Sequence, residues 1–176
     1  VARYFSYAES AAALPGSTVP SGGTSNSLFA ALVGSTTMPL KIRRITVGVR
    51  AGSGAPTSQQ MTVALVRTTV RGTATTTFAG RPMDGANTST AFSPGIDTVW
   101  STVPTATWPA NPPTTAAYAF DEYSFNTQAT LDLPYELLEE LIVAPAASNA
   151  NGLAFYNVAN ALPTSHLYTV RVEWEE

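Results

Sequence analysis

The clearest periodicity in the chain lies near its end, where Tyr168, Val170, Val172 and Trp174 alternate with Thr169, Arg171, Glu173 and Glu175. A period of two sets apolar side chains on one face of a pleated ribbon and polar ones on the other, so the segment predicts a half-buried strand. The same alternation runs through Arg44-Ile45-Thr46-Val47-Gly48-Val49-Arg50. Residues 61–69, 73–78, 96–102, 116–125, 130–133, 141–145 and 153–158 read as further short strands, many of them rich in β-branched residues. Between them fall turn signals such as Arg71-Gly72 and Asn151-Gly152. The stretch 103–115, with Pro104, Pro109, Pro112 and Pro113, reads as a surface loop. Residues 135–141 (Tyr-Glu-Leu-Leu-Glu-Glu-Leu) have the one helix-like spacing and predict a short helix. About eight or nine short strands with almost no helix predict an all-β fold, an antiparallel two-sheet sandwich of the jelly-roll type.

The first 38 residues follow a different pattern. Residues 15–24 have the Pro, Gly and Ser composition of a linker, residues 9–14 fit a single helical turn, and residues 27–33 form an apolar segment that fits a first strand. This divides the chain into an N-terminal arm and linker over 1–38 and a β-sandwich domain over 39–176. Tyr4, Phe5 and Tyr7 lie ahead of the linker. The arm is either a frayed terminus or a segment that orders on a neighbour with those aromatics as anchors. Three aromatics in so short a stretch favour the second reading.

Composition narrows the function. The 176 residues fit one domain, and charged residues make up 12%, about half of the roughly 25% usual in globular domains. Thr (25), Ser (15) and Ala (27) take their place. The absence of cysteine excludes disulfides, thiolate zinc sites, iron–sulfur clusters and a cysteine nucleophile. The single His166 excludes any site that needs two histidines. A net charge of −3 argues against a general nucleic-acid binder. No apolar run approaches the length of a membrane helix, so no membrane partner is expected. The opening residues lack the apolar core of a signal peptide, and the start at Val1 reads as an initiator methionine trimmed before a small residue.

The net charge hides a sorting along the chain. Seven basic residues and no acid lie between Lys41 and Arg81, Arg43 and Arg44 among them. Between Asp121 and Glu176 there are nine acids against Arg171 alone. Either strands from the two segments lie side by side and pair their charges, or a basic face of one copy meets an acidic face of another copy or of a different protein.

Candidate chemistry is sparse. Gly52-Ser53-Gly54 lacks the spacing of a nucleophile elbow, and no phosphate-binding or calcium-binding loop occurs. His166 opens the last strand and reads as a strand-end residue near solvent. Asp121-Glu122 and Glu139-Glu140 are adjacent pairs, which point apart on a strand and do not face each other across a cleft. Asn87-Thr88-Ser89 matches the glycosylation triplet by chance. Trp100, Trp108, Tyr118 and Tyr123 would make a sugar-stacking platform if exposed, but such aromatics more often fill a core or a subunit interface. No catalytic, cofactor-binding or metal-binding residue is assigned, and no enzymatic activity or cofactor is expected.

Several segments together resemble small jelly-roll virion proteins of tailed bacteriophages, in particular head decoration or cement proteins. These are the N-terminal arm, the Ser27-Leu28-Phe29 segment, and the strand Lys41-Ile42-Arg43-Arg44-Ile45-Thr46-Val47. The strand ending in Val66-Arg67-Thr68, the Asn151-Gly152-Leu153 turn and the closing Val170-Arg171-Val172-Glu173-Trp174-Glu175-Glu176 complete the set. The likeness covers most of residues 27–176 in layout and rests on no single diagnostic motif. It implies a non-enzymatic protein on the capsid exterior, made in the host cytoplasm, with the major capsid protein as partner and self-association as a homotrimer. Tyr4, Phe5, Tyr7, Arg43, Arg44 and Trp108 are the candidate partner-interface residues. A tail, neck or fibre component and a carbohydrate-binding β-sandwich module are the alternatives.

Overall fold

The computed structural model describes residues 3–9, 16, 27–72, 76–83, 95–98 and 113–176. Its strands are β1 (Arg3–Glu9), β2 (Leu28–Val33), β3 (Leu40–Ala51), β4 (Gln60–Val70), β5 (Thr76–Ala79), β6 (Arg81–Pro82) and β7 (Gly95–Thr98). They continue with β8 (Thr114–Thr115), β9 (Asp121–Asn126), β10 (Leu131–Pro134), β11 (Leu141–Val143), β12 (Gly152–Val158) and β13 (His166–Glu175). All pairings are antiparallel. One sheet has the order β10-β3-β13-β1-β6, with β11 also on β3. The other has the order β5-β7-β2-β12-β4-β8, with β9 also on β4. The chain is therefore an antiparallel two-sheet β-sandwich, as the period-two pattern predicts. The chain crosses between the sheets along β1 to β4 and again from β9 to β10 and β11 to β13, while β4, β5, β7, β8 and β9 all belong to the second sheet.

The core fills the space between the sheets. Phe29 of β2 stacks on Tyr168 of β13 at 4.4 Å between ring centres and 9° between planes. Phe125 of β9 leans on the same ring at 6.3 Å. The buried Tyr168 hydroxyl donates to Asn157 Oδ1 at 2.9 Å, which satisfies two polar groups that would otherwise be stranded. Strands β2 and β12 are buried along their whole lengths, so apolar residues dominate both and Asn157 is the buried polar exception in β12. Gly152 lies where an added Cβ would come within 2.2 Å of the Leu32 carbonyl oxygen.

Three expectations are corrected. The boundary at 38/39 is not a boundary of packing. β1 pairs along its length with β13, from Arg3↔Glu175 to Glu9↔Thr169, and β2 lies inside the second sheet between β7 and β12. The first residues carry their own period of two: Tyr4 and Ser6 are buried while Arg3, Tyr7 and Glu9 face solvent. The turn expected over 9–14 and most of the linker lie outside the described residues.

The helix expected over 135–141 is absent. β10 and β11 lie on the same edge of β3, with Pro134 opposite Arg44 and Leu141 opposite Ile42. They are two halves of one edge strand, parted by an excursion at 135–140. Pro134 is the last β10 residue paired with β3, and pairing of 141–143 with the same edge outweighs a helix too short to propagate. Tyr135 N–H donates to Arg43 O at 2.9 Å and Glu139 N–H to Glu136 O at 3.1 Å, so the excursion is a single tight turn.

His166, expected near solvent, is only 2% exposed. Thr57 N–H donates to its Nε2 at 3.2 Å, and its Nδ1 lies 3.0 Å from Thr164 O. Both ring nitrogens are thus engaged, which makes it a structural clamp between two loops.

Candidate functional site

The outer face of the first sheet holds most of the charge in the described fold. Arg43 is an extra residue on β3, because the register with β13 steps from Arg44↔Glu173 to Ile42↔Trp174. Ile42 and Ile45 both enter the core, so this bulge turns two consecutive arginines onto the opposite face. Arg43 reaches Glu140 Oε1 and Glu175 Oε2, each at 2.6 Å, and Arg3 Nε meets the other oxygen of Glu175 at 2.8 Å. Arg44 holds Asp132 in a two-bond fork at 2.7 and 2.5 Å. Arg50–Glu9 and Arg171–Glu173 extend the set.

These contacts set the carboxyl groups. The hydrogen bond from Arg43 holds Glu175 below the usual carboxylate range, and Arg44 does the same for Asp132. Glu140 is lowered first by backbone N–H groups in the excursion, then by the nearby Arg43 and Lys41 charges. Arg43 and Arg44 therefore neutralise acids of the same chain. The first reading of the sorted charge holds for them: the basic strand β3 lies between β10, β11 and β13, the strands that carry those acids or lead to them.

The structure does not gather the expected interface residues into one surface. Tyr4 is 5% exposed and stacks on the fully buried Trp174 at 6.0 Å and 24°, so it belongs to the core. Phe5 lies under the Arg171 guanidinium at 4.5 Å, and Tyr7 is 48% exposed on the same face. Trp108, like Trp100, lies outside the described residues. Of the remaining aromatics once considered for sugar stacking, Tyr118 is 76% exposed. Tyr123 is half-buried and donates its hydroxyl to Asp121, and burial first, then that bond, pushes its pKa up.

Two features that sequence reasoning missed are more distinctive. A cleft of about 390 Å³ opens among Arg3, Arg43, Met83, Tyr135, Leu137, Glu173 and Trp174. Beside it the excursion carries Leu137 and Leu138, 71% and 90% exposed, and Leu138 adopts φ 75°. On the same side of the sandwich Arg67 of β4 crosses between the sheets. It lies 5.0 Å from the Phe120 ring centre and donates to Ile142 O at 2.8 Å. Phe120 and Ile142, both substantially exposed, thus meet around one guanidinium whose pKa is lowered by burial. The excursion could have been suspected from Glu-Leu-Leu-Glu, a pair of leucines in acid brackets directly after a proline-ended strand.

Among the described residues no three His, Cys, Asp or Glu side chains converge to hold a metal ion, and no helix is long and apolar enough to cross a membrane. His166 has no nucleophile beside it among its described partners, and Ser53 lies in an exposed loop. No family model, no curated protein and no solved structure matches the chain.

Proposed function

We propose that this chain is a non-enzymatic structural protein of a tailed-bacteriophage virion, a decoration or cement protein that binds the outside of the head lattice. On this reading its partner is the major capsid protein, and it associates with itself as a trimer. The observation that carries the reading is a well-packed sandwich with large apolar side chains left in water. Tyr118, Leu137 and Leu138 are the most exposed of them. Apolar exposure concentrated at edges and turns marks surfaces that meet other proteins. A low-charge composition rich in Thr, Ser and Ala suits a subunit seated among neighbours.

The test uses the purified full chain and mature particles of its own virus. Light scattering coupled to size exclusion should give a trimer, and co-sedimentation should give saturable binding to heads. A monomer that leaves the heads bare overturns the reading. Location at the head–tail junction assigns the chain to the tail or neck instead. Binding to a glycan array that is lost in Trp108→Ala makes it a carbohydrate-binding module.

A further inference from the structure

We infer that Leu137 and Leu138 form a preformed docking knob, whose socket is an apolar hollow rimmed by Lys and Arg on the head lattice. The inference rests on the cement reading and names the surface that would carry it.

Three independent observations converge on this turn. The first is exposure: Leu138 is 90% exposed, the highest of any large apolar side chain described, and Leu137 beside it is 71% exposed. The second is backbone geometry. Leu138 at φ 75° occupies the left-handed region, which costs an L-residue with a Cβ free energy that glycine does not lose. The turn's own bonds, Glu139 N–H to Glu136 O and Leu138 N–H to the Glu140 carboxyl, hold this conformation, but the side chain is left in water, so the isolated chain would be better served by glycine at this position. The third is rigidity. The base of the excursion is fixed by the Tyr135 N–H bond to Arg43 O, by the Glu140–Arg43 pair at 2.6 Å, and by the Glu139–Glu136 turn. A knob held this firmly loses little conformational freedom when it docks.

Charge decides the occupant. Exposed Glu136 and Glu139 flank the two leucines, and no basic residue occurs between 131 and 143. A complementary socket must therefore carry positive charge at its rim. A second copy of this chain is poorly equipped to supply it. Of its nine basic residues, Arg3, Arg43, Arg44, Arg50 and Arg171 are held in its own ion pairs and Arg67 lies against Phe120, and the remaining Lys41, Arg71 and Arg81 are spread over β3, the residue just past β4, and β6. A different protein fits better. Leu137 borders the cleft shared with Met83 and Tyr135, so the socket's lip would rest there while Leu138 enters it.

The test compares the full chain with Leu138→Gly, Leu137→Ser/Leu138→Gly and Glu136→Lys/Glu139→Lys, using mature heads that lack the protein as the probe. Wild-type binding should weaken as salt rises. Leu138→Gly should bind about ten-fold more weakly while melting no lower than wild type, which separates docking from folding. The double leucine variant should bind more weakly still. The charge-reversed variant should lose affinity and the wild-type salt dependence. Wild-type affinity in the double leucine variant overturns the knob and leaves the cement reading standing. A changed oligomeric state in that variant overturns it in favour of a second copy as occupant. Wild type that fails to bind heads removes the cement reading itself, and the knob's assignment with it.

Discussion

Replacing Tyr4 with alanine separates an integral N-terminal strand from a free arm. Tyr4 is 5% exposed and stacked on Trp174, within a strand that pairs along its length with β13. An aromatic side chain buries about 150–250 Å², and at about 25 cal/mol/Å² that corresponds to about 4–6 kcal/mol as an upper bound. Aromatic-to-alanine changes in cores cost about 3–5 kcal/mol, so about 4 kcal/mol is the working value. For a domain of this size each kcal/mol lowers the melting temperature by about 2–4 °C, which predicts a fall of about 8–16 °C. Scanning calorimetry on the dilute, isolated chain reads this directly. Tyr7→Ala is the control: its side chain is half in water, and its loss should cost less than about 1 kcal/mol. Equal and small shifts in the two variants would falsify the placement of β1 in the sheet, since a free arm contributes nothing to isolated stability.

Acid should weaken the ion-paired face. Asp132, Glu140 and Glu175 have pKa values below their usual range in the folded chain, so their contribution is complete above the unfolded carboxylate range of about 4 and is lost as pH falls through the lowered values. Glu175→Gln should therefore melt below wild type at pH 7, with the gap closing towards pH 3; a pH-independent gap contradicts this. Gly152→Ala should lose about 2–3 kcal/mol in urea titration, because the new Cβ would meet Leu32 O at 2.2 Å and Thr68 Oγ1 at 2.8 Å. His166→Leu leaves Thr57 N–H and Thr164 O without their partner and should cost about 2 kcal/mol by the same measurement.

Strands whose two faces differ were legible from sequence. β13 and β3 alternate because one face meets the core and the other meets water, although β3 begins at Leu40, ahead of the bulge that breaks its alternation. β2 was legible as an apolar segment for the opposite reason, burial on both faces, and β12 as the strand after the Asn151-Gly152 turn. β1 was misread because its alternation is short and its inward residues, Tyr4 and Ser6, are not both apolar. The two-residue strands β6 and β8 gave no signal, since so short a span has no period. The excursion at 135–140 was misread as helix because leucine–glutamate spacing records local preference, and the competing pull of the β3 edge lies some ninety residues away in sequence. The same distance concealed the meaning of the sorted charges. Arg43 and Glu175 are 132 positions apart, and only the register of β3 against β13, shifted by its bulge, brings them together.

The central claim, a subunit made to sit on a head lattice, is tested most directly by cryo-microscopy of the virion that contains this chain. The account predicts a two-sheet sandwich on the outer surface of the head, repeated at lattice positions, with the Leu137–Leu138 turn facing the capsid. Heads with no such density, or the sandwich found only on the tail, would contradict it.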